Sequence, residues 1–215
     1  LSLKIPKGCI FALLGGNGAG KTTLSKLVSK IEKPYNGKIK ISGTVSVLPQ
    51  DVRSLFASRT VREELEEMCR DTEQVEKIAE ITGISNLFSA HPYDISGGEQ
   101  QRLALAKILL CERDIYFFDE PTKGMDAEFK ETFADIISRL KSKGRTVVLI
   151  SHDIEFCAKN TELCAMLFDK NISTVSLTAE FFNGNRFYTT AANKISNGFI
   201  DGAVTDEDVI RCLKK

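Results

Sequence analysis

The chain has 215 residues, 42% of them hydrophobic and 27% charged, enough for one large domain with or without a smaller subdomain. Its 29 Lys and Arg balance 29 Asp and Glu, so no basic excess points to nucleic-acid phosphate as a partner. The longest apolar runs, such as Thr146 to Ile150, are strand-sized and far short of the ~20 residues that span a bilayer, so any link to a membrane is expected to run through another protein.

The chain opens on Leu1 rather than Met, already in apolar alternation with Leu3 and Ile5, as expected of a domain cut from something longer; no signal-peptide pattern is seen. Cys9 to Leu14 reads as a buried strand ending in glycines, and Thr22 to Ile31 as a helix. Residues 51 to about 95 differ in kind. They are acidic, with helical period over Val61 to Cys69 and Glu73 to Ile81, and read as a helical insertion. Ile115 to Phe118, Thr146 to Ile150 and Leu163 to Phe168 are three further apolar strands. Between the first two of these lies an amphipathic helix with Phe129, Phe133, Ile136, Ile137 and Leu140 on one face, Asp126 placed to cap its start and Gly144 its end. Strands alternating with helices predict an α/β domain with a largely parallel sheet. From Leu177 onward the sequence is polar and Asn-rich, with the aromatic pairs Phe181–Phe182 and Phe187–Tyr188. The six cysteines form no CxxC pair; Cys9, Cys111 and Cys164 sit in apolar contexts, and all six are expected to be free thiols rather than ligands or disulfides.

Three segments carry chemistry. Gly15-Gly16-Asn17-Gly18-Ala19-Gly20-Lys21-Thr22 fits GxxxxGK[ST] at every fixed position and lies between a predicted strand and a predicted helix. Glycines let the backbone curl so that several N–H groups converge on phosphate oxygens, and the helix start adds its positive dipole end. Lys21 would neutralise the β/γ-phosphates, and the Thr22 hydroxyl would hold Mg²⁺. Ile115 to Glu120 is an apolar strand ending in two carboxylates. Asp119 would support the metal, and Glu120 could orient and polarise an attacking water. Ile95-Ser96-Gly97-Gly98-Glu99-Gln100-Gln101-Arg102 precedes the apolar run to Cys111, which puts Ser96 and two glycines at a helix start. That is a second anion site by the same physics, or an ordinary Ser N-cap.

In this order the three segments resemble the Walker A loop, signature and Walker B strand of the ABC ATPases, over essentially all of the chain to about residue 170. The resemblance extends to Gln50 as the Q-loop glutamine, Asp126 as the D-loop aspartate and His152 as the switch histidine. It implies a P-loop NTPase core over residues 1–50 and 97–178, with a trimmed antiparallel β subdomain near 37–48, a helical subdomain over 51–96 and a C-terminal extension over 179–215. It further implies ATP and Mg²⁺ as cofactors. Gly15, Asn17, Gly18, Ala19, Gly20, Lys21, Thr22 and Thr23 would bind the nucleotide in cis. Ser96 and Gly98 would clamp the γ-phosphate from a second such domain, with Asp126 bridging the halves. Lys21, Gln50, Glu120 and His152 would be catalytic, and Thr22, Gln50 and Asp119 would serve the metal. Ile95 and Glu99 stand where Leu and Gln are commoner.

The compact insertion suits a transporter ATPase docked on transmembrane subunits at the cytoplasmic face of the membrane, with no nucleic acid as partner. A chromosome-maintenance or repair ATPase would carry a long coiled coil there, and a soluble translation-associated ABC protein would carry basic linker helices. Thr60 to Leu65 and Phe187 to Asn193 resemble the ATPases of energy-coupling factor importers, which take up vitamins and metal ions such as cobalt. The alternative is a soluble, non-transport ABC ATPase of the translation-associated or DNA-repair type.

Overall fold

The apolar run Cys9 to Leu14, bounded by Gly8 and Gly15, holds β1 (Ile10–Leu14), buried along its whole length. The computed structural model describes residues 2–16, 18–184, 189–196, 198–200 and 202–214; Asn17, Phe187 and Tyr188, singled out above, lie outside them. In chain order there follow α1 (Lys21–Val28), β2 (Val45–Leu48), a 3₁₀ turn (Val52–Leu55), α2 (Val61–Glu66), α3 (Thr72–Ile81), a second 3₁₀ turn (Ser85–Leu87) and α4 (Gly97–Leu110). The second half holds β3 (Ile115–Asp119), α5 (Ala127–Ser142), β4 (Thr146–Ser151), α6 (Ile154–Asn160), β5 (Leu163–Phe168), β6 (Asn171–Leu177), α7 (Thr178–Gly184), α8 (Ala191–Ser196) and α9 (Asp206–Leu213).

One six-stranded sheet runs β2-β3-β4-β1-β5-β6, parallel except for the antiparallel β5–β6 pair. Alternation along β1 divides the core between the two faces. Phe11 and Leu13 point to the face covered by α1 through Leu24 and Val28. Ile10, Ala12 and Leu14 point to the other, which α4, α5 and α6 cover through Leu103, Phe133 and Cys157. Strands buried on both faces read as continuous apolar runs, which is why β1, β3, β4 and β5 stand out in the sequence.

The α5 expectations hold in detail. Asp126 Oδ1 accepts from the Phe129 amide at 2.7 Å, and Gly144 ends the helix at φ 74° with its amide on Lys141 O. Within residues 51–96, Thr60 and Glu63 make a reciprocal capping box, Asp71 caps α3, and Val61, Leu65, Val75 and Ala79 bury against the α4 side.

Near 37–48 the structure departs from the sequence reading. Residues 37–44 form no strand, and Val45–Leu48 pairs in parallel with β3 rather than joining an antiparallel subdomain. The antiparallel pairing lies at the opposite edge, in β6. The 179–215 segment contributes to the core: Phe181, Phe182 and Val204 are buried against Ala12, Leu14, Cys164 and Met166. All six cysteines are free; Cys9, Cys157 and Cys164 are buried, but Cys111, at the α4 end, is half-buried. Among the described residues no helix is long and apolar enough to cross a membrane.

Candidate nucleotide site

The parallel strands all end at one edge of the sheet, where ligands of open α/β folds gather. Gly15 follows β1, Asp119 and Glu120 end β3, and Ser151 and His152 end β4. Gln50 follows β2, whose Leu48 is in register with Phe118, so it stands beside the end of β3 with its side chain exposed.

The loop after β1 needs its glycines. A Cβ on Gly15 would lie 2.4 Å from the Leu167 carbonyl oxygen on β5, so no side chain fits there. Gly18 and Gly20 take φ values of 78° and 107°, and Gly20 is the N-cap of α1. Ala19 is half-buried, and Thr22 and Thr23 are exposed in the first turn of α1, where free amides and the dipole favour an anion. Lys21 is buried; its Nζ donates to Gly15 O at 2.6 Å and lies 3.5 Å from Glu120 Oε1.

Glu120 combines burial with a left-handed backbone, φ 53°, held by its amide on Ile150 O at 2.8 Å. Its Oε2 lies 2.7 Å from His152 Nδ1 and accepts the His152 amide at 3.3 Å. One carboxylate thus joins the loop lysine to the histidine after β4. The His152 side chain is 68% exposed, free to meet a ligand above the sheet edge.

Asp119 is buried, and its pKa is pushed up to about 6, by loss of water first and then by the neighbouring Glu120 charge; a hydrogen bond with Ser25 and the Lys21 charge oppose the rise. Its Oδ2 has no hydrogen-bond partner among the described residues. A buried acceptor left open beside a phosphate loop fits a cation such as Mg²⁺, with the Thr22 hydroxyl as a second oxygen donor.

The signature residues are held by other contacts. Ser96 caps α4, its Oγ accepting from the Glu99 amide while Glu99 Oε2 accepts the Ser96 amide at 2.7 Å. Hydrogen bonding to Ser96 holds the Glu99 carboxyl below its ordinary range. Among the described residues no hydrogen bond or ion pair links Ser96 or Gly98 to Lys21, Asp119, Glu120 or His152. Instead the signature meets the D-loop: a Cβ on Gly98 would lie 3.1 Å from Gly124 O, and Arg102 Nη2 donates to Asp126 Oδ2 at 2.8 Å. Gln101 Nε2 donates to Pro121 O at 3.1 Å. The sequence reading gave Ser25 no place at the site, and it named Gln101 and Arg102 without their partners Pro121 and Asp126. The first was legible, since Ser25 is four residues after Lys21 on one helix and so shares its face.

Residues 1–123 match the protein-family model described as ABC transporter. An ABC transporter ATP-binding protein of Bacillus thuringiensis subsp. konkukian (strain 97-27) is 38% identical over 97% of this chain and 41% of its own length. The methionine import ATP-binding protein MetN of Rhizobium meliloti (strain 1021) is 30% identical over 100% of this chain and 66% of its own. A bacterial ABC transporter cassette solved as a dimer superposes with a TM-score of 0.75 at 22% identity, over 82% of this chain and 88% of that one, a likeness of fold. The chain thus spans less than half the length of the Bacillus relative. Its phosphate loop, signature and carboxylate-ended strand all fall inside the matched segment, and the chain belongs to the ABC transporter ATP-binding family.

Proposed function

We propose that this chain is the ATP-hydrolysing domain of an ABC importer of the energy-coupling factor type, driving uptake of a small nutrient, cobalt or a vitamin. The observation that carries the hydrolytic part is Glu120, held between Lys21 and His152 at the mouth of the phosphate loop. Support for import comes from the compact helical unit over 51–96, the Thr60 to Leu65 sequence and the importer relative. The partners on this reading are a second ABC ATPase domain and transmembrane subunits, at the cytoplasmic face of the membrane.

In this mechanism the loop amides and Lys21 cradle the phosphates of ATP. Glu120 orients a water for attack on the γ-phosphorus, and His152 holds Glu120 and reaches toward the γ-phosphate. Asp119, Thr22 and Gln50 would hold Mg²⁺, which when bound would supply positive charge against the phosphates. Ser96 and Gly98 would close on the γ-phosphate of a partner domain, with Asp126 between the halves. Each chain then gives half of two composite sites.

The test is Glu120→Gln. It keeps the shape and the tie to His152 but removes the base. We expect ATP binding within about twofold of wild type and hydrolysis lowered by roughly 10²–10⁴-fold. Turnover unchanged in that variant would remove Glu120 from the reaction.

A further inference from the structure

A buried ion pair outside the nucleotide site joins the segment after Gln50 to the signature helix. Glu64 on α2 is fully buried, and Lys107, in the last turn of α4, has 7% of its side chain exposed. The two are in direct contact. Glu64 Oε1 also accepts the amides of Ala57 and Ser58, each at 2.6 Å, and Lys107 Nζ donates to Leu55 O at 2.7 Å. Two side chains therefore satisfy three backbone groups of one loop, residues 55–58, which has no ladder of its own.

Further ties lie toward the start of α4. Arg53 Nε donates to Gln100 Oε1 at 3.0 Å, Gln100 Nε2 donates to Pro92 O at 3.0 Å, and the Tyr93 hydroxyl donates to Arg53 O at 3.3 Å. The Phe56 and Tyr93 rings meet edge to face. Residues 53–58 are thereby pinned along α4 from its first turn to its last. Lys107 is eleven residues from Ser96, about 16 Å along the helix, so it touches no nucleotide-facing group and acts through others. If packing were its whole purpose, an apolar pair of similar volume would serve as well or better, because two desolvated charges gain little net stability. An apolar pair cannot satisfy Leu55 O and the two amides.

We infer that Glu64 and Lys107 are positioning residues that lock the segment following Gln50 to the signature helix, so that Gln50 and Ser96 move as one body during turnover. The inference rests on the proposal that Gln50 and Ser96 both serve ATP hydrolysis. Closure at the signature then shifts the segment next to Gln50, and a displacement at Gln50 is felt at the signature.

The experiment compares wild type, Glu64→Gln, Lys107→Arg and the doubly apolar Glu64→Leu/Lys107→Met, each as the full chain, by amide hydrogen exchange, ATP affinity and turnover. In the double variant, exchange at Ala57 and Ser58 should rise at least about tenfold while β1, β3 and β4 keep their protection. ATP affinity should stay within about twofold, and turnover should fall about tenfold or more, a loss in kcat rather than KM. Lys107→Arg should retain most of the turnover. Glu64→Gln tests the charge with the shape kept, and serves if the double variant does not fold. Added Mg-ATP should alter exchange over 51–58 and 96–103 together in wild type, and separately in the variants.

Loosened amides with unchanged kcat would overturn the inference, as would exchange that responds to ATP alike in wild type and variants. Wild-type turnover independent of protein concentration would instead defeat the trans reading of Ser96, and the exchange comparison would still decide the role of the pair.

Discussion

Asp119 ends a strand buried on both faces, and its Oδ2 has no hydrogen-bond partner among the described residues. Its pKa, about 6, is above the ordinary carboxylate value, so between pH 4 and 6 the folded chain holds a proton that the unfolded chain has lost. The sign follows: this group contributes most to stability at low pH, and its contribution is lost as pH rises toward 6. With chelator and no nucleotide, Asp119→Asn should therefore unfold at a higher temperature than wild type at neutral pH. The gap should narrow as pH falls to about 4. A gap independent of pH in thermal melts would mean that Asp119 carries no raised pKa. The same residue shows why residue identities were easy to read and their electrostatics were not. Asp after four apolar residues is visible in the sequence, but the Ser25 contact and the missing partner of Oδ2 exist after folding brings α1 to β3.

Among the elements, α5 shows how one side chain can serve two purposes. Asp126 Oδ1 caps the helix, while Oδ2 takes the Arg102 guanidinium, which also lies 4.3 Å from the centre of the Phe129 ring. Asp126→Ala should cost about 1 kcal/mol in chemical denaturation, the usual worth of a lost N-cap. Asp126→Asn keeps a capping oxygen and loses an ion pair between partly exposed groups, so it should stay within about 0.5 kcal/mol of wild type. Equal losses in both variants would show that the ion pair, not the cap, stabilises the helix. The cap was legible because Asp126 precedes an amphipathic period. Arg102 was not, because its partner is 24 residues away. β6 was missed for a related reason. Asn171–Leu177 is an edge strand with Val175 and Leu177 exposed, so it lacks the continuous apolar run that marked the central strands. The family resemblance implied a trimmed antiparallel unit near 37–48, but the sequence could not show that Val45–Leu48 would pair with β3.

At the scale of the whole molecule, described residues after Leu177 are part of the packing. Phe181 and Phe182 cover the β1–β5 face, the Ala191 amide donates to Glu155 Oε1 at 2.7 Å, and Lys159 on α6 pairs with Asp206 at 2.8 Å. The polar, Asn-rich composition concealed this, although Phe181 and Phe182 are both buried. Removing everything after Leu177 would expose Leu14, Cys164 and Met166. Each buried phenylalanine is worth roughly 1.5–3 kcal/mol, and each kcal/mol shifts the midpoint by roughly 2–4 °C in a domain of this size. The truncated chain should melt at least about 5 °C lower than the full one in a thermal scan. An unchanged midpoint would make the segment dispensable to the core.

The phosphate loop is tied to Glu120 and His152, whereas the signature residues contact Gly124 and Asp126. On the proposed function these are two half-sites, each completed by a second domain. The most direct test measures ATPase rate per chain against protein concentration, for wild type and for Ser96→Arg, which puts bulk and charge at the signature while leaving the phosphate loop intact. The account predicts a wild-type rate per chain that rises with concentration, and a rate close to zero in Ser96→Arg. A rate independent of concentration that survives the substitution would contradict it.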